Sequence, residues 1–279
     1  MGAKIEHNAF TGRELEPSAS LAWAINDRQA LWISAAKATR EPSIIDENLK
    51  ADSVSFPLPT GVLGVVRVLG SPNFQSEEVR DYEIGYRAQP HPRFSLDLVS
   101  FYSFYRQLRT IEPEAPFFEL SPAPPHVVLP QVFMNKMHGQ DYGAEASLNW
   151  SVLPRWKLSG GYSWLKMNLY ADPSSLDTTS AAADRQSPRH QFNVRSYLNL
   201  TRNWSFDNSL YYVGSLPAYQ VPSYYRLDSR LAWHVGESVE LSVVGQNLLN
   251  PRRFEFGNND LVIATQPERS VFGRVTWSF

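Results

Sequence analysis

Five polar side chains have the types and positions expected of an anion-binding site. They are Tyr105, Gln107, Arg109, Arg189 and Arg226. The first three alternate along one segment, so we expect them to share one face of a strand. Guanidinium forks and phenolic hydroxyls suit an anionic or catecholate metal chelate, because they donate directional hydrogen bonds to oxygen anions. The alternative is that these charges pair with neighbours across strands.

No arrangement of residues predicts catalysis. The six histidines are scattered and include no HxxxH or HExxH pair. His126, His138 and His190 fall toward the same end of their segments as the five polar residues and could contact an iron complex. No serine is paired with a histidine in a way that suggests a lipase. We therefore expect no catalytic residue, no metal site and no cofactor.

Composition excludes several classes of protein. The 279 residues include no cysteine, which rules out a disulfide framework and thiolate metal sites. A net charge of −2 gives no basic footprint for nucleic acid. No apolar stretch approaches the roughly 18–20 residues of a spanning helix. Residues 1–6 contain no signal-peptide core, and the chain opens within a predicted strand, so we interpret it as part of a longer polypeptide.

The dominant period of hydrophobicity is two residues. Phe94, Leu96 and Leu98 alternate with other residues, and the same period recurs in residues 144–150, 191–200, 226–235 and 271–279. One strand face is thus apolar while the other carries charges. Such strands fit a soluble sandwich whose apolar faces meet. They equally fit an outer-membrane barrel whose apolar face meets lipid and whose polar face lines a wet lumen.

The lengths of the connections separate these alternatives, because short and longer ones alternate strictly. The short ones lie near residues 26–28, 90–92, 153–155, 202–203 and 236–238, and the others at 10–13, 43–76, 112–131, 171–187, 216–223 and 251–267. In an up-and-down meander, one rim then has tight turns and the other has long loops. This predicts an all-antiparallel transmembrane β-barrel segment of about twelve strands. A stand-alone barrel of that size, either a passive pore or a lipid-processing protein, and a soluble β-protein remain alternatives.

Seven of the eight tryptophans lie near a short turn or the C-terminus. They are Trp23, Trp32, Trp150, Trp156, Trp204, Trp233 and Trp277. If all the short turns share one rim, these indoles form a belt at that level. A membrane–water interface favours such a belt, because the ring prefers the acyl boundary and the N–H prefers water. We therefore predict contact with outer-membrane lipid.

Two of the long connections have distinctive sequences. Residues 112–131 contain six prolines, which predicts a stiff, exposed, polyproline-like loop. Residues 62–69, within the longest loop, are apolar and β-branched. They predict a strand or hairpin that projects beyond the membrane.

Several segments resemble the barrel of TonB-dependent outer-membrane receptors. They are residues 4–23, 76–86, 244–250 and 268–279. An asparagine–leucine strand end, a loop and a last strand ending in phenylalanine are similar to that family's C-terminus. Trp277 and Phe279 also resemble the signal read by the outer-membrane assembly machinery. The resemblance covers essentially the whole chain.

The resemblance implies that residues 1–279 are the C-terminal portion of a receptor barrel. Family members thread an N-terminal plug domain into a barrel of 22 strands, and a lumen so wide needs a plug. The plug and the first barrel strands would then be partners that this chain lacks, and TonB would act only through that plug. The implied function is energised uptake of a ferric siderophore or a similar scarce nutrient across the bacterial outer membrane. The five polar residues would contact this small metal chelate or the plug.

Sheet edges set a further constraint. An open sheet in lipid leaves roughly ten backbone groups unpaired at each edge, and each costs several kcal/mol. We therefore expect the strands to close as a narrower barrel, to pair with further strands, or to fail to insert.

Overall fold

The computed structural model describes residues 1–252, 254–255 and 266–278, which form a single β-sheet. Its strands are β1 (Gly2–Asn8), β2 (Gly12–Asn26), β3 (Gln29–Arg40), β4 (Lys50–Pro57), β5 (Leu63–Leu69), β6 (Glu77–His91), β7 (Phe94–Pro113), β8 (Phe117–Glu119), β9 (His126–Leu153), β10 (Trp156–Ala171), β11 (His190–Asn199), β12 (Trp204–Val213), β13 (Tyr224–Val235), β14 (Val239–Gln246) and β15 (Ser270–Trp277). A short helix, α1, covers Ile44–Asn48, and 3-10 turns cover Ser180–Arg185 and Pro217–Tyr219. Within the described ranges, no helix is both long and apolar enough to cross a membrane.

Twelve of the strands form one meander in chain order, in which each strand is antiparallel to the next. The path runs β1-β2-β3-β6-β7-β9-β10-β11-β12-β13-β14-β15. This confirms the predicted fold class and the predicted number of strands. β1 and β15 end the path without pairing to each other, so the sheet formed by the described residues is open. The described strands therefore do not close into a barrel by themselves.

The three remaining strands lie in the long connections. β4 and β5 form a hairpin, which confirms the strand predicted at residues 62–69. β5 also runs parallel to the start of β9, and this ladder is the exception to an otherwise antiparallel sheet. The proline-rich loop is shorter than predicted, because β7 extends to Pro113 and β9 already begins at His126. Arg67 of β5 is buried and forms ion pairs with Asp52 of β4 and Glu119 of β8, which link the hairpin to the short strand β8.

One face of the meander is apolar and uncovered. Leu21, Ile33 and Val275 are 65%, 47% and 71% exposed. No second sheet covers them within the described part of the chain, so the structure is not a sandwich. A continuous apolar surface of this kind marks an interaction with lipid or protein rather than ordinary solvent exposure. The opposite face carries the charged side chains that alternate with the apolar ones along each strand. We call it the polar face.

Six of the seven predicted belt tryptophans lie on the apolar face at the short-turn rim. Trp204 and Trp233 are directly paired and stack with ring centroids 5.9 Å apart. Trp277 lies opposite Val239, and Trp150 lies opposite Leu158. Trp156 donates its indole N–H to Ser196 over 3.0 Å. Contact of these rings with a membrane interface stays a prediction.

Trp32 does not belong to that row, so the prediction for this residue is wrong. The β2–β3 ladder contains a β-bulge between Ala24 and Asn26, which pairs Trp23 with Leu31 instead of Trp32. A one-residue shift moves a side chain to the opposite face. Trp32 therefore lies on the polar face, where its indole covers Gly85. Phe279 of the predicted assembly signal lies outside the described residues.

Candidate functional site

A cavity of about 590 Å³ opens on the polar face at the long-loop rim. We call it the rim cavity. It lies between the loop ends of five strands and is lined by Arg40 of β3, Glu77 of β6, Tyr105 and Arg109 of β7, Met137 of β9 and Met167 of β10. The 3-10 turn at Ser180–Arg185 forms its remaining wall. The cavity thus depends on strand ends that are far apart in sequence.

Two arginines at the rim cavity share two carboxylates. The guanidinium groups of Arg40 and Arg109 lie 3.0 and 3.3 Å from the carboxylate of Asp46. Arg40 also pairs with Glu77 at 2.7 Å, and the backbone N–H of Arg109 donates to Glu77 over 2.8 Å. Both arginines remain nearly half exposed while Asp46 is buried. Guanidinium donors therefore remain accessible from the cavity.

The helix α1 holds Asp46 in place by a capping box. Ser43 is the N-cap: its hydroxyl accepts from the Asp46 N–H over 3.2 Å, and its own N–H donates to the Asp46 carboxylate over 3.0 Å. Burial alone would raise the pKa of Asp46, but the bonds from Ser43 and the charge of Arg40 lower that pKa to about 2. The carboxylate is therefore ionised at any physiological pH and keeps both arginines in position.

Two carboxylates fasten the connection between β10 and β11 over the cavity. Glu112 at the end of β7 accepts from the Ser175 hydroxyl over 2.6 Å and from the Leu176 N–H over 2.7 Å. Asp177 accepts from the Ile111 N–H over 2.8 Å, and it also accepts from the Ser180 hydroxyl. Burial would raise the pKa of Asp177, but these hydrogen bonds lower it strongly. The loop wall is thus held by charge-assisted bonds that reach across the sequence.

The floor of the rim cavity is apolar. Leu108, Ile111 and Leu169 line it together with the two methionines. The Arg109 guanidinium also lies over the Phe133 ring, 4.9 Å from its centroid. A ligand with an anionic group and an apolar or aromatic body would meet donors on one side and polarisable side chains on the other.

The structure brings two of the five predicted ligand residues together at this cavity, namely Tyr105 and Arg109. The Tyr105 hydroxyl donates to the Asp141 carboxylate over 2.9 Å, and this hydrogen bond orients the Tyr105 ring. Gln107 was predicted to share their face, but it lies in a β-bulge with φ 56°. The backbone carbonyl of Gln107 accepts a hydrogen bond from the Asn135 side-chain amide over 2.6 Å. Gln107 lines a different cavity.

The other two predicted residues lie apart from the rim cavity. Arg189 is exposed in the connection before β11. Arg226 pairs with Asp228 at 2.6 Å and lies over the Tyr211 ring, which matches the alternative that rim charges pair locally. The sequence analysis missed Arg40, Asp46 and Glu77. A signal for Asp46 was present, because Ser43 followed three residues later by Asp46 is a capping-box pattern.

The three loop-side histidines do not line the rim cavity either. His126 is buried, with its ring 3.3 Å from the Glu119 carboxylate. His138 pairs with Asp172 at 2.7 Å, and the ring nitrogen of His190 lies 2.9 Å from the Tyr162 hydroxyl. Over the ranges that the structure describes, no group of three or more His, Cys, Asp or Glu side chains could hold a metal ion.

Comparison with known proteins gives consistent findings. The family model described as TonB dependent receptor-like, beta-barrel, matches residues 2–248. A variant of the ferric enterobactin receptor of Pseudomonas aeruginosa is 16% identical with a TM-score of 0.71, and the match covers 99% of this chain and 42% of the receptor. The siderophore receptor PirA of Acinetobacter baumannii is 14% identical with a TM-score of 0.73, covering 97% and 42% of the two chains. The ferric-catecholate import receptor Fiu of E. coli is 17% identical with a TM-score of 0.68, covering 95% and 35%. The chain therefore spans less than half the length of these solved receptors.

Proposed function

The chain belongs to the TonB-dependent receptor-like β-barrel family, and from that premise we propose that it forms part of an outer-membrane receptor for the energised uptake of a ferric siderophore or a similar scarce chelate. The observation that carries this proposal is the two-sided meander with the rim cavity at its long-loop end. An uncovered apolar face suits lipid, and a charged opposite face suits a wet interior. Long loops above that interior suit capture of a ligand from outside.

The rim cavity is the proposed point of ligand contact. Arg40 and Arg109 offer guanidinium donors for an anionic chelate, and Tyr105 supplies a phenol ring beside them. The apolar floor suits the aryl groups of a catecholate ligand. Similar receptors include one for ferric enterobactin and one for ferric catecholate import, and this similarity supports the same class of ligand for the chain.

The partners in this proposal are further barrel strands and a plug domain. The free edges at β1 and β15 would pair with those strands, because unpaired backbone groups cannot remain in lipid. The plug would fill the interior and transmit force from TonB. In this scheme the present chain supplies loops and part of the wall. A passive pore made by this chain alone is less well supported, because β1 does not pair with β15.

Uptake of radiolabelled iron from a catecholate chelate by intact cells tests the proposal. The variants are Arg109→Ala and Tyr105→Phe in the complete natural protein, assayed in cells that lack other catecholate receptors. We expect Arg109→Ala to weaken apparent affinity about tenfold, since a hydrogen bond to a charged group contributes about 1.5–3 kcal/mol. Tyr105→Phe should have a smaller effect. Disruption of TonB should abolish uptake.

The matched control is Arg202→Ala, which removes an exposed arginine at the short-turn rim. Surface abundance, measured by immunoblot of outer membranes, must be equal for all variants. Arg189→Ala tests the remaining prediction from sequence, because this exposed arginine could contact the ligand before the rim cavity does. Unchanged uptake by Arg109→Ala and Arg189→Ala at equal abundance would refute the assigned ligand contacts.

A further inference from the structure

The charges at the rim cavity are balanced, which limits how tightly the cavity can hold an anion. Its lining carries two arginines, Arg40 and Arg109, and the carboxylates of Asp46 and Glu77 lie against them. The other polar residues of the described lining carry no charge. An anion that enters therefore gains the full attraction of the arginines only if one carboxylate moves away from them.

Asp46 is the carboxylate that is fixed in place. Its side chain is 2% exposed, and it accepts hydrogen bonds from the Ser43 N–H over 3.0 Å and from the Ser43 hydroxyl over 2.9 Å. Both arginines also donate to it. Movement of this carboxylate would break the capping box that begins α1.

Glu77 is held less firmly. It is the first residue of β6, it lines the rim cavity, and its side chain is 17% exposed. Its carboxylate accepts from the Arg40 Nε–H over 2.7 Å and from the Arg109 backbone N–H over 2.8 Å. Among the residues that the structure describes, these two bonds alone hold it. Rotation of this one side chain into the water of the rim would therefore free Arg40 without moving a strand or α1.

The bond from Arg40 to Glu77 blocks a two-point contact with a ligand. The Nε–H of Arg40 donates to Glu77, and a terminal N–H of the same group donates to Asp46. A guanidinium binds an oxyanion most strongly through two parallel N–H bonds, and the fork along its side includes the Nε–H. A ligand oxygen can therefore use this fork only after Glu77 has left Nε.

We propose that Glu77 takes the place of the ligand's anionic group while the rim cavity is empty, and that a chelate displaces it from Arg40 on binding. The inference rests on the proposed function, since it concerns the contact of the transported ligand with the rim cavity. Glu77 is thereby a specificity-determining residue, because a ligand must bind Arg40 better than a carboxylate does. A multiply charged anion meets this condition more readily than a neutral chelate, since its attraction to the guanidinium grows with its charge.

Titration calorimetry of the purified, complete receptor in detergent tests this inference. The probe is the gallium(III) complex of a tripodal tris-catecholate ligand, which is a trianion. We expect Glu77→Gln to bind the probe about tenfold more tightly than the wild type, because the charge-assisted bond that the ligand must break becomes a neutral bond of about half the strength. The glutamine oxygen can still accept from Arg40 and Arg109, so this variant should keep the structure of the strand ends.

Glu78→Gln is the matched control. Glu78 is the next residue along β6 and pairs with Lys37 and Arg80 instead of the rim-cavity arginines. This variant removes an equal charge close by, so a general loss of repulsion would strengthen binding equally in both variants. In the Arg40→Ala background, Glu77→Gln should have no larger effect than Glu78→Gln, because the fork that Glu77 blocks is gone. This background separates displacement from a merely structural role of Glu77.

Nuclear magnetic resonance of the receptor with isotope-labelled arginine reports the displacement itself. The Arg109 amide proton is bonded to Glu77 in the empty protein. It should move upfield when the probe binds, because it loses a charged acceptor. Gallium(III) is diamagnetic, so the bound probe does not broaden this resonance. In Glu77→Gln the acceptor is neutral from the start, and the shift should be smaller.

The outcomes separate this inference from the proposed function. Tighter binding by Glu77→Gln than by Glu78→Gln, with the difference lost in the absence of Arg40, supports displacement. Equal affinity of the wild type and Glu77→Gln, or an Arg109 amide resonance that does not move at saturation, overturns displacement while the measured binding still supports the receptor function. Absence of probe binding by the wild type and by every variant overturns the ligand contact assigned to the rim cavity, and this inference with it.

Discussion

The two rims of the sheet are built by different kinds of interaction. At the short-turn rim, neighbouring strands are joined by a few residues, and indoles on the apolar face contact partners across one ladder, as Trp204 contacts Trp233. At the long-loop rim, Glu112 holds residues 175–176, Asp177 holds Ile111, and Asp46 holds two arginines. These partners are six to 66 residues apart along the chain.

This difference explains why the candidate site lies at one rim. A turn of two or three residues fixes its neighbours through local geometry and leaves little variable surface. Long loops have no such constraint and must be held by specific side chains, which leaves room for a cavity between them. The charged clamps give the rim cavity its walls, and they are also its most vulnerable parts.

Removal of the Glu112 clamp should have the largest effect at the long-loop rim. Glu112 is buried and accepts two hydrogen bonds from the loop. We expect Glu112→Ala to lower the local opening free energy of residues 174–186 by about 3 kcal/mol, because the charge-assisted bonds are lost. Amide hydrogen exchange measures this opening. Exchange at the short turns should not change, and Asp27→Ala in an exposed turn is the control. Protection that persists in Glu112→Ala would show that the two rims do not differ in this way.

A steric substitution near the short-turn half should have the next largest effect. A Cβ added to Gly85 would lie 2.1 Å from the Trp32 indole, whereas a Cβ added to Gly273 meets nothing within 4 Å. We expect Gly85→Ala to destabilise the folded protein by about 2 kcal/mol through overpacking, and Gly273→Ala to be close to neutral. Thermal unfolding of the purified variants, followed by near-UV circular dichroism, makes the comparison. Equal melting temperatures for both variants would contradict the packing of Trp32 on the polar face.

The smallest effect concerns pH. The pKa of Asp46 is lowered from 3.8 to about 2, so its ion pairs stabilise the folded state fully above the ordinary value. That contribution is lost only as pH falls through about 4 toward 2. Exchange of residues 43–49 should therefore be independent of protonation between pH 8 and pH 5, after correction for intrinsic rates, and should rise below pH 4. In Asp46→Asn, the acid-dependent rise should disappear. Loosening of this helix near pH 6 would point to a different titrating group.

Much of the fold was predictable because its signals are local. The period of two residues fixed the two faces of each strand, and the alternation of short and long connections gave the order and direction of twelve strands. Residues 62–69 were recognisable as a strand from their composition alone. The same reasoning failed at Trp32 and Gln107, because each depends on a β-bulge that moves one residue out of the alternation.

The candidate site was predictable only in part. Arg109 and Tyr105 were found because their residue types suit an anion and their position follows from strand direction. Asp46 and Glu77 were not found, because their significance depends on which arginines they meet. Arg226 had the right type and strand end, yet its local pair with Asp228 sets it apart.

The sequence by itself determined the alternation, the turns and the asymmetry of the rims, because each arises from residues close together in the chain. Only the tertiary structure decided which carboxylates hold which loops, where the bulges shift the register, and which arginines line the rim cavity. Those outcomes depend on contacts between distant segments, and the energy of an ion pair or a steric contact is set by distances that sequence spacing does not specify.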